Sequence, residues 1–392
     1  MSVTSTPAPK EGSTVNRTPS MWGSNRTSRW IIAGLITAGT ILFFVLATDD
    51  WFSIVNYTLI AAIAALGLNV LSGYTGQISL GHAFFMAIGA YTAAVLGSTS
   101  PSSPSSPLGY NLSFLIWLPA AGLVAALAGA LVGPTALRLK GFYLGIVTLS
   151  LIFIGQYIFI NARGFTGGPQ GRSFPVPAFG DAVISQQNTF FGIALTPGQQ
   201  YFLLLLLVLA LSAFFVHNVM RSRAGRAFQA VRDNETGATI MGVNLFEAKM
   251  GAFILSSFLA GIGGALLASY TSYYVPGSWD LVLSIQFVAA IIVGGVGSVW
   301  GSILGAAFVF GLPQVIDQFS LLPTSTTSGG LHSGELDALV YGVLIILFLL
   351  FEPGGLVGIA RRGQAWMRRF RTSGEEGGEQ AEITDLPSSS VS

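Results

Sequence analysis

The residue types that could handle a solute sit in two glycine-rich stretches. Between two apolar runs, Gly73–Gly81 reads GYTGQISLG and is polar without being charged. Thr75, Gln77 and Ser79 offer neutral hydrogen bonds to a polar solute, while Gly73, Tyr74 and Gly76 shape the backbone that would present them. The second stretch, Gly294–Gly301, reads GGVGSVWG. Non-helical backbone at membrane depth survives only where protein buries it or where it lines a cavity. Paired glycine-interrupted segments are the sequence pattern that points to a translocation pathway. The same residues also fit a plainer reading, tight cytoplasmic turns between closely packed helices. Gly261–Ala265 and Gly301–Gly305 carry small-residue faces that suit close helix approach, a packing role.

Other chemistry is missing. The chain has no Gly-x-x-x-x-Gly-Lys-Ser/Thr loop to cradle the phosphates of ATP and no Gly-x-Ser-x-Gly elbow. Gly295–Trp300 fails the dinucleotide pattern at its third glycine. His82, His217 and His332 are far apart in sequence and read as helix-end or interfacial residues rather than metal ligands. With no cysteine there is no disulfide, thiolate site or Cys nucleophile. The apolar runs hold no acidic residue at their centres: Asp49 and Asp50 sit in an outer turn, and Asp317, Asp337 and Glu352 at run ends. Ion-coupled carriers place ionisable groups in the membrane interior, so the chain has the shape of a transporter without an energy source of its own. That leaves a passive channel, or a subunit driven by a separate motor. A membrane-embedded enzyme has no clustered catalytic residues to support it.

The most organised polar segment is residues 218–248. Ala227, Phe228, Ala230 and Val231, set among Arg226, Arg232 and Asp233, suit a short amphipathic helix. Asn234 is placed to cap a second short helix that Gly242 ends, and Asn244 with Glu247 resembles a capping box. Two short helices beneath a membrane domain make either a docking surface or an interfacial connector.

These segments must be positioned by a membrane bundle. Of 392 residues, 52% are hydrophobic and 9% charged, against about 25% charged in soluble domains. A net charge of +1 gives no basic face for nucleic acid. The 49 glycines follow no Gly-X-Y period, and the chain is too apolar to be disordered throughout. The expected fold is all-α: a polytopic helical membrane protein with about ten transmembrane segments and glycine-rich breaks. The candidate spans are Trp30–Ala47, Trp51–Leu71, His82–Leu96, Phe114–Gly133, Gly141–Ile160, Tyr201–His217, Gly251–Ser269, Leu281–Val293, Ser302–Ile316 and Leu336–Phe351. Val45–Ala47 resembles a signal-peptide cleavage site, but the long apolar run and polar leader favour an uncleaved first helix. With an inside N-terminus, every Lys and Arg except Arg163 and Arg172 falls on the cytoplasmic side, as the positive-inside rule requires. The expected organisation is a disordered cytoplasmic tail (1–29), a transmembrane domain (30–359) with an external loop (161–200) and an inner loop (218–248), and a cytoplasmic tail (360–392). Residues 98–109 read as a flexible Ser/Pro-rich linker.

At these motifs the chain resembles a known family. GLNVLSGYTGQISLGHAFFMAIGAY at Gly67–Tyr91 resembles the signature of the branched-chain amino acid ABC importer permeases. GRAFQAVRDNE at Gly225–Glu235, continued by MGVN at Met241–Asn244, is similar to that family's ATPase-coupling region, and GGVGSVWG to its third motif. RLKGFYLGIVTL at Arg138–Leu149 and TGGPQG at Thr166–Gly171 resemble the longer, M-type subunit. The resemblance covers roughly residues 50–360. Gln156 departs from it, standing where related M-type chains often carry an ionisable residue.

The resemblance implies an importer with a second, H-type permease subunit, two cytoplasmic ATP-binding subunits and an extracytoplasmic solute-binding protein, embedded in the lipid of a bacterial inner (plasma) membrane. ATP would bind the partner, so this chain needs no cofactor. Arg226, Arg232, Asp233, Glu235, Met241, Gly242 and Glu247 would meet the ATPase. Gly73, Tyr74, Thr75, Gly76, Gln77 and Ser79 would lie near the pathway, and segment 161–200 on the side where the binding protein docks. The implied solute is a branched-chain amino acid or a similar small polar molecule. Superfamily relatives import urea, short amides or nucleosides, and a motor-free channel or secondary carrier is the alternative from a different class.

Overall fold

The computed structural model describes residues 34, 38–40, 42–98, 108–136, 141–179, 182–184, 188–190, 193–319, 342, 343, 346, 350, 355–359 and 362. Residues 1–46 and 47–392 form separate compact units. In the first, the described residues are helical. The second holds the bundle.

The chain runs through α1 (Asp49–Leu68), which passes without a break into a π-helix, Asn69–Tyr74. Then come α2 (His82–Gly97), α3 (Phe114–Ala136), α4 (Phe142–Asn161) and α5 (Pro197–Arg221). The inner loop forms α6 (Arg223–Asp233) and α7 (Glu235–Ile240). α8 (Leu245–Thr271), α9 (Leu281–Gly294) and α10 (Val299–Ala306) follow, and a second π-helix, Ala307–Gly311, leads into α11 (Leu312–Phe319). Starts are marked by local chemistry. Thr196 and Gln199 form a reciprocal capping box ahead of Pro197, which satisfies helix-terminal N–H groups that have no partner within the helix. Asp280 caps α9 through Leu283 N at 2.9 Å, and Ser298 caps α10 through Gly301 N at 3.2 Å.

Among the described residues seven helical segments are long and apolar enough to cross a membrane, and His82–Gly97 is a shorter apolar helix. Three expected spans differ in detail. The third is a 16-residue helix, about 24 Å at 1.5 Å per residue, short of the roughly 30 Å hydrocarbon core. The eighth is lengthened by a 3-10 turn at Pro276–Ser278, and the ninth is a composite interrupted by the π-helix. The expected span Leu336–Phe351 lies largely outside the described residues, as do both tails, residues 1–29 and 360–392, and most of linker 98–109; of the expected span Trp30–Ala47, residues 34, 38–40 and 42–46 are described and helical.

α8 is the hub. Buried from Ala248 to Ser269 along one face and all round at Leu259–Ser269, it packs against α1, α2 and α3. Small residues allow this: a Cβ on Gly263 would sit 2.7 Å from the Ala64 Cβ, and one on Gly264 would meet the Met86 backbone. The stripe Gly261–Ala265 is thus a packing face, as its composition suggests. α5 closes on α1 through Phe52 and Phe202, whose rings lie 5.6 Å apart, edge to face.

A two-residue ladder joins β1 (Arg172–Ser173) to β6 (Tyr273–Tyr274) in antiparallel register. It ties the start of segment 161–200 to the α8–α9 connection. The rest of that segment carries β2 (Ala178–Phe179) paired with β3 (Ala182–Val183), and β4 (Asn188–Phe190) paired with β5 (Ile193–Leu195).

Candidate functional site

The two glycine-rich breaks, more than 200 residues apart in sequence, meet through one side chain. Asn69, buried at the start of the first π-helix, donates from Nδ2 to the Ser298 carbonyl (2.8 Å) and to Ser302 Oγ (2.7 Å). Its Oδ1 accepts from Gly297 N at 2.9 Å. A single amide therefore holds Gly297, Ser298 and Ser302 together, and a Cβ on Gly73 would collide with that amide. Gly297 has φ of 78°, a left-handed conformation that glycine adopts without a Cβ penalty.

Within the first break the polar side chains are buried and turned onto backbone. Thr75 Oγ1 donates to the Leu71 carbonyl and accepts from Gln77 Nε2 at 3.0 Å. Gln77 also reaches the Lys249 carbonyl at 3.4 Å, and its Oε1 makes no hydrogen bond within the protein. Ser79 is buried, while Gly76 (φ 71°) is exposed against Arg232. The Tyr74 hydroxyl faces the Val299 backbone. Leu80 N donates to Thr148 Oγ1 (2.9 Å) and Ala83 N to Ser284 Oγ (3.0 Å). His82 begins α2 fully buried, with Nε2 3.0 Å from the Ala64 carbonyl and its ring edge-on to Phe287. It is a packed helix-end histidine, not an interfacial one. Among the described residues no three His, Cys, Asp or Glu side chains are grouped to hold a metal ion.

The inner loop docks onto this junction. α6 buries Gly225, Phe228 and Val231, the amphipathic face that the sequence suggests. From its last turn, Arg232 Nη1 donates to the Gly73 carbonyl at 2.6 Å and lies beside Gly297. Asn234 caps α7 by accepting from Gly237 N at 2.9 Å. Glu235 then pairs with Lys249 of α8 at 2.5 Å. Gly242, with φ of 82°, turns the chain back. Asn244 accepts from Phe246 N and Glu247 N and donates to Glu247 Oε1.

The candidate residues divide accordingly. Arg232 and Glu235 hold the loop to the bundle. Arg226, Asp233, Met241, Gly242 and Glu247 face outward, with Met241 83% exposed beside the exposed Ile240 and Phe246. Sequence reasoning passed over Asn69, Lys249, Ile240 and Phe246. A lone amide at the end of an apolar helix is the signal that could have singled out Asn69, since a polar group at that depth requires partners.

The family described as branched-chain amino acid transport system / permease component matches residues 51–349. The chain belongs to this family. The permease is 31% identical to the high-affinity branched-chain amino acid transport system permease protein LivM of Salmonella typhimurium, over 93% of this chain and 81% of the relative. With LivM of Escherichia coli the identity is also 31%, over 88% and 78%. With BraD of Pseudomonas aeruginosa it is 27%, over 76% of this chain and 91% of the relative. The higher identity and longer match to LivM place the permease with the M-type subunits. No solved structure matches the chain. The permease is a multi-pass helical membrane protein and a transport subunit rather than an enzyme.

Proposed function

We propose that this permease is the M-type membrane subunit of an ATP-driven importer for branched-chain amino acids, and that the Asn69–Gly297 junction is its cytoplasmic gate. It pairs with an H-type permease. Two ATP-binding subunits dock on the exposed face of residues 222–247, and an extracytoplasmic solute-binding protein docks on the side of segment 161–200. Both termini face the cytoplasm of a bacterial inner membrane.

The observation that carries the reading is the Arg232–Gly73 hydrogen bond. It joins the loop that would meet the motor directly to the junction that would open. Closure of the ATPase pair displaces α6 and α7, Arg232 draws on the Gly73 carbonyl, and the Asn69 amide lets go of the Gly297–Ser302 turn. Gly73, Tyr74, Thr75, Gly76, Gln77 and Ser79 then border the inner end of the pathway. In the closed junction the polar side chains of this stretch satisfy backbone groups. Released, they offer neutral hydrogen bonds to a zwitterion.

The test is leucine uptake by the reconstituted complex. Asp233→Lys and Gly242→Trp alter only the exposed loop, so membrane insertion stays at the wild-type level while uptake falls at least about tenfold. Arg232→Ala uncouples ATP hydrolysis from uptake. Full uptake by all three variants at normal expression would sink the coupling role.

A further inference from the structure

α4 has two unlike sides. Leu144, Thr148, Ile152 and Phe159 are buried against the bundle, and Gly155 lets the helix close on the Phe84 ring, which a Cβ there would meet. The other side is open. Tyr143, Ile146, Ser150, Phe153, Tyr157 and Ile160 are all exposed, the two tyrosines most, at 70% and 72%. Their spacing is regular. Tyr143, Ser150 and Tyr157 stand seven residues apart, and so do Ile146, Phe153 and Ile160. A 3.5-residue repeat of this kind is the seam of a left-handed helix pair, the usual handedness of membrane bundles. Ser150, small and central, is the point where two backbones can approach closely.

Lipid accounts for the neighbouring surfaces but not for this one. α3 exposes Leu115, Leu123 and Leu127, and α5 exposes Leu203, Leu207 and Leu211, as hydrocarbon requires. α4 sets two phenols and an aliphatic hydroxyl in the same kind of position. Tyrosine is common at the membrane surfaces, but 14 residues separate Tyr143 from Tyr157. That is about 21 Å of helix against a hydrocarbon core of roughly 30 Å. Helical side chains also tilt toward the N-terminus. With Tyr143 at one surface, Tyr157 therefore leans into the core and away from the other, where an unpartnered hydroxyl is costly. The ATP-binding subunits and the binding protein of the proposed complex act outside the hydrocarbon, which leaves the second membrane subunit to meet this face.

The same helix is fastened to the first glycine-rich break. Thr148 Oγ1 accepts from Leu80 N at 2.9 Å. A Cβ on Gly145 would lie 3.7 Å from Ile78 and 4.0 Å from Leu80, and Ile78 is itself exposed. We propose that the Tyr143–Ile160 face of α4 is the surface on which the H-type permease packs, helix against helix, with the tyrosine hydroxyls bonded across the boundary. The proposal rests on the pairing of two permeases put forward above and assigns the surface that makes it. It sets the Gly73–Gly81 stretch beside the subunit boundary, so that a shift of one permease against the other reaches that stretch through Thr148.

The experiment uses the complete complex in the membranes of the expressing cell. The photoreactive p-benzoylphenylalanine replaces Phe153 or Tyr157, and replaces Leu207 on α5 for comparison. On illumination, the probes at 153 and 157 join this chain to the H-type permease, identified by mass spectrometry of the conjugate, whereas the probe at 207 joins lipid. Independently of the probe, Ser150→Trp overfills the middle of the seam. It lowers the H-type permease that co-purifies with the tagged chain at least about fivefold, the scale of an overpacked contact. Membrane insertion stays at the wild-type level, because position 150 is open in the single chain, and Ser150→Ala keeps the full amount of partner. If the wild-type chain brings down no second permease, the pairing itself fails. If the wild-type pair is intact and both probes join only lipid or a second copy of this chain, the surface is overturned. It is overturned equally if Ser150→Trp retains as much H-type permease as wild type.

Discussion

Asn69 is the residue on which the junction turns. Its amide makes three hydrogen bonds to a segment 228 to 233 positions away. Asn69→Ala leaves Gly297 N to find a new partner in a half-buried site, at about 1–3 kcal/mol if it fails, while Ser302 Oγ keeps its bond to the Ser298 carbonyl. We expect the detergent-solubilised variant to denature at a lower temperature than wild type, and leak of amino acid through the assembled complex to rise. Unchanged thermal stability together with unchanged leak would refute the clamp. Sequence alone pointed to this stretch but did not single out Asn69. The hydroxyls and amide of Thr75, Gln77 and Ser79 stand out because they interrupt an apolar run. Asn69 sits inside a run that reads as continuous helix, and its partners are fixed only when two distant turns fold together. Arg232 was legible as part of a charged amphipathic helix, whereas its acceptor, a backbone carbonyl, has no signature at all.

At the scale of elements, periodicity and small-residue spacing served well. The Gly261–Ala265 stripe was readable as a close-packing face, and α6 showed its buried side through Phe228 and Val231. Neither π-helix was readable, because a shift from i→i−4 to i→i−5 hydrogen bonding leaves composition unchanged. Nor was the β1–β6 ladder, since two-residue strands carry no alternation to detect. The stripe gives a sharp prediction. In Gly263→Leu, even the first added carbon falls 2.7 Å from the Ala64 Cβ, so α8 must move off α1. Overpacking of this kind costs typically about 1–3 kcal/mol and sometimes more. The variant should yield much less folded, monodisperse permease on size-exclusion chromatography, whereas Gly263→Ala should retain part of the yield. Equal yields from the leucine variant and wild type would show that the helices are not so tightly held.

Over the whole molecule, the placement of charge is what argues for an orientation in the membrane. Basic residues other than Arg163 and Arg172 cluster in residues 1–29, at 138–140, in 221–249 and in 361–371. Arg172 is the exception with a use, its charge spent on the carbonyls of Phe165, Ala94 and Leu108. Because the chain has no cysteine, orientation is open to single-cysteine labelling with a membrane-impermeant maleimide. Met241→Cys should react only from the cytoplasmic side, and should become protected once the ATPase subunits are bound. Tyr110→Cys, on an exposed outer residue, should react only from outside. Labelling of both from the same side would overturn the proposed orientation.

The bond from Arg232 to Gly73 has a further consequence for how such a permease varies. Its acceptor is a main-chain carbonyl, present whatever residue occupies the position, so no substitution of a side chain at 73 can delete it. Mutation can reach this joint from the acceptor side only by shifting backbone. On the donor side a single codon removes it outright. Strength of coupling is therefore adjustable almost entirely at position 232, and second-site suppressors of an Arg232 defect should arise among neighbours that move the loop, rather than within the glycine-rich turn that receives it.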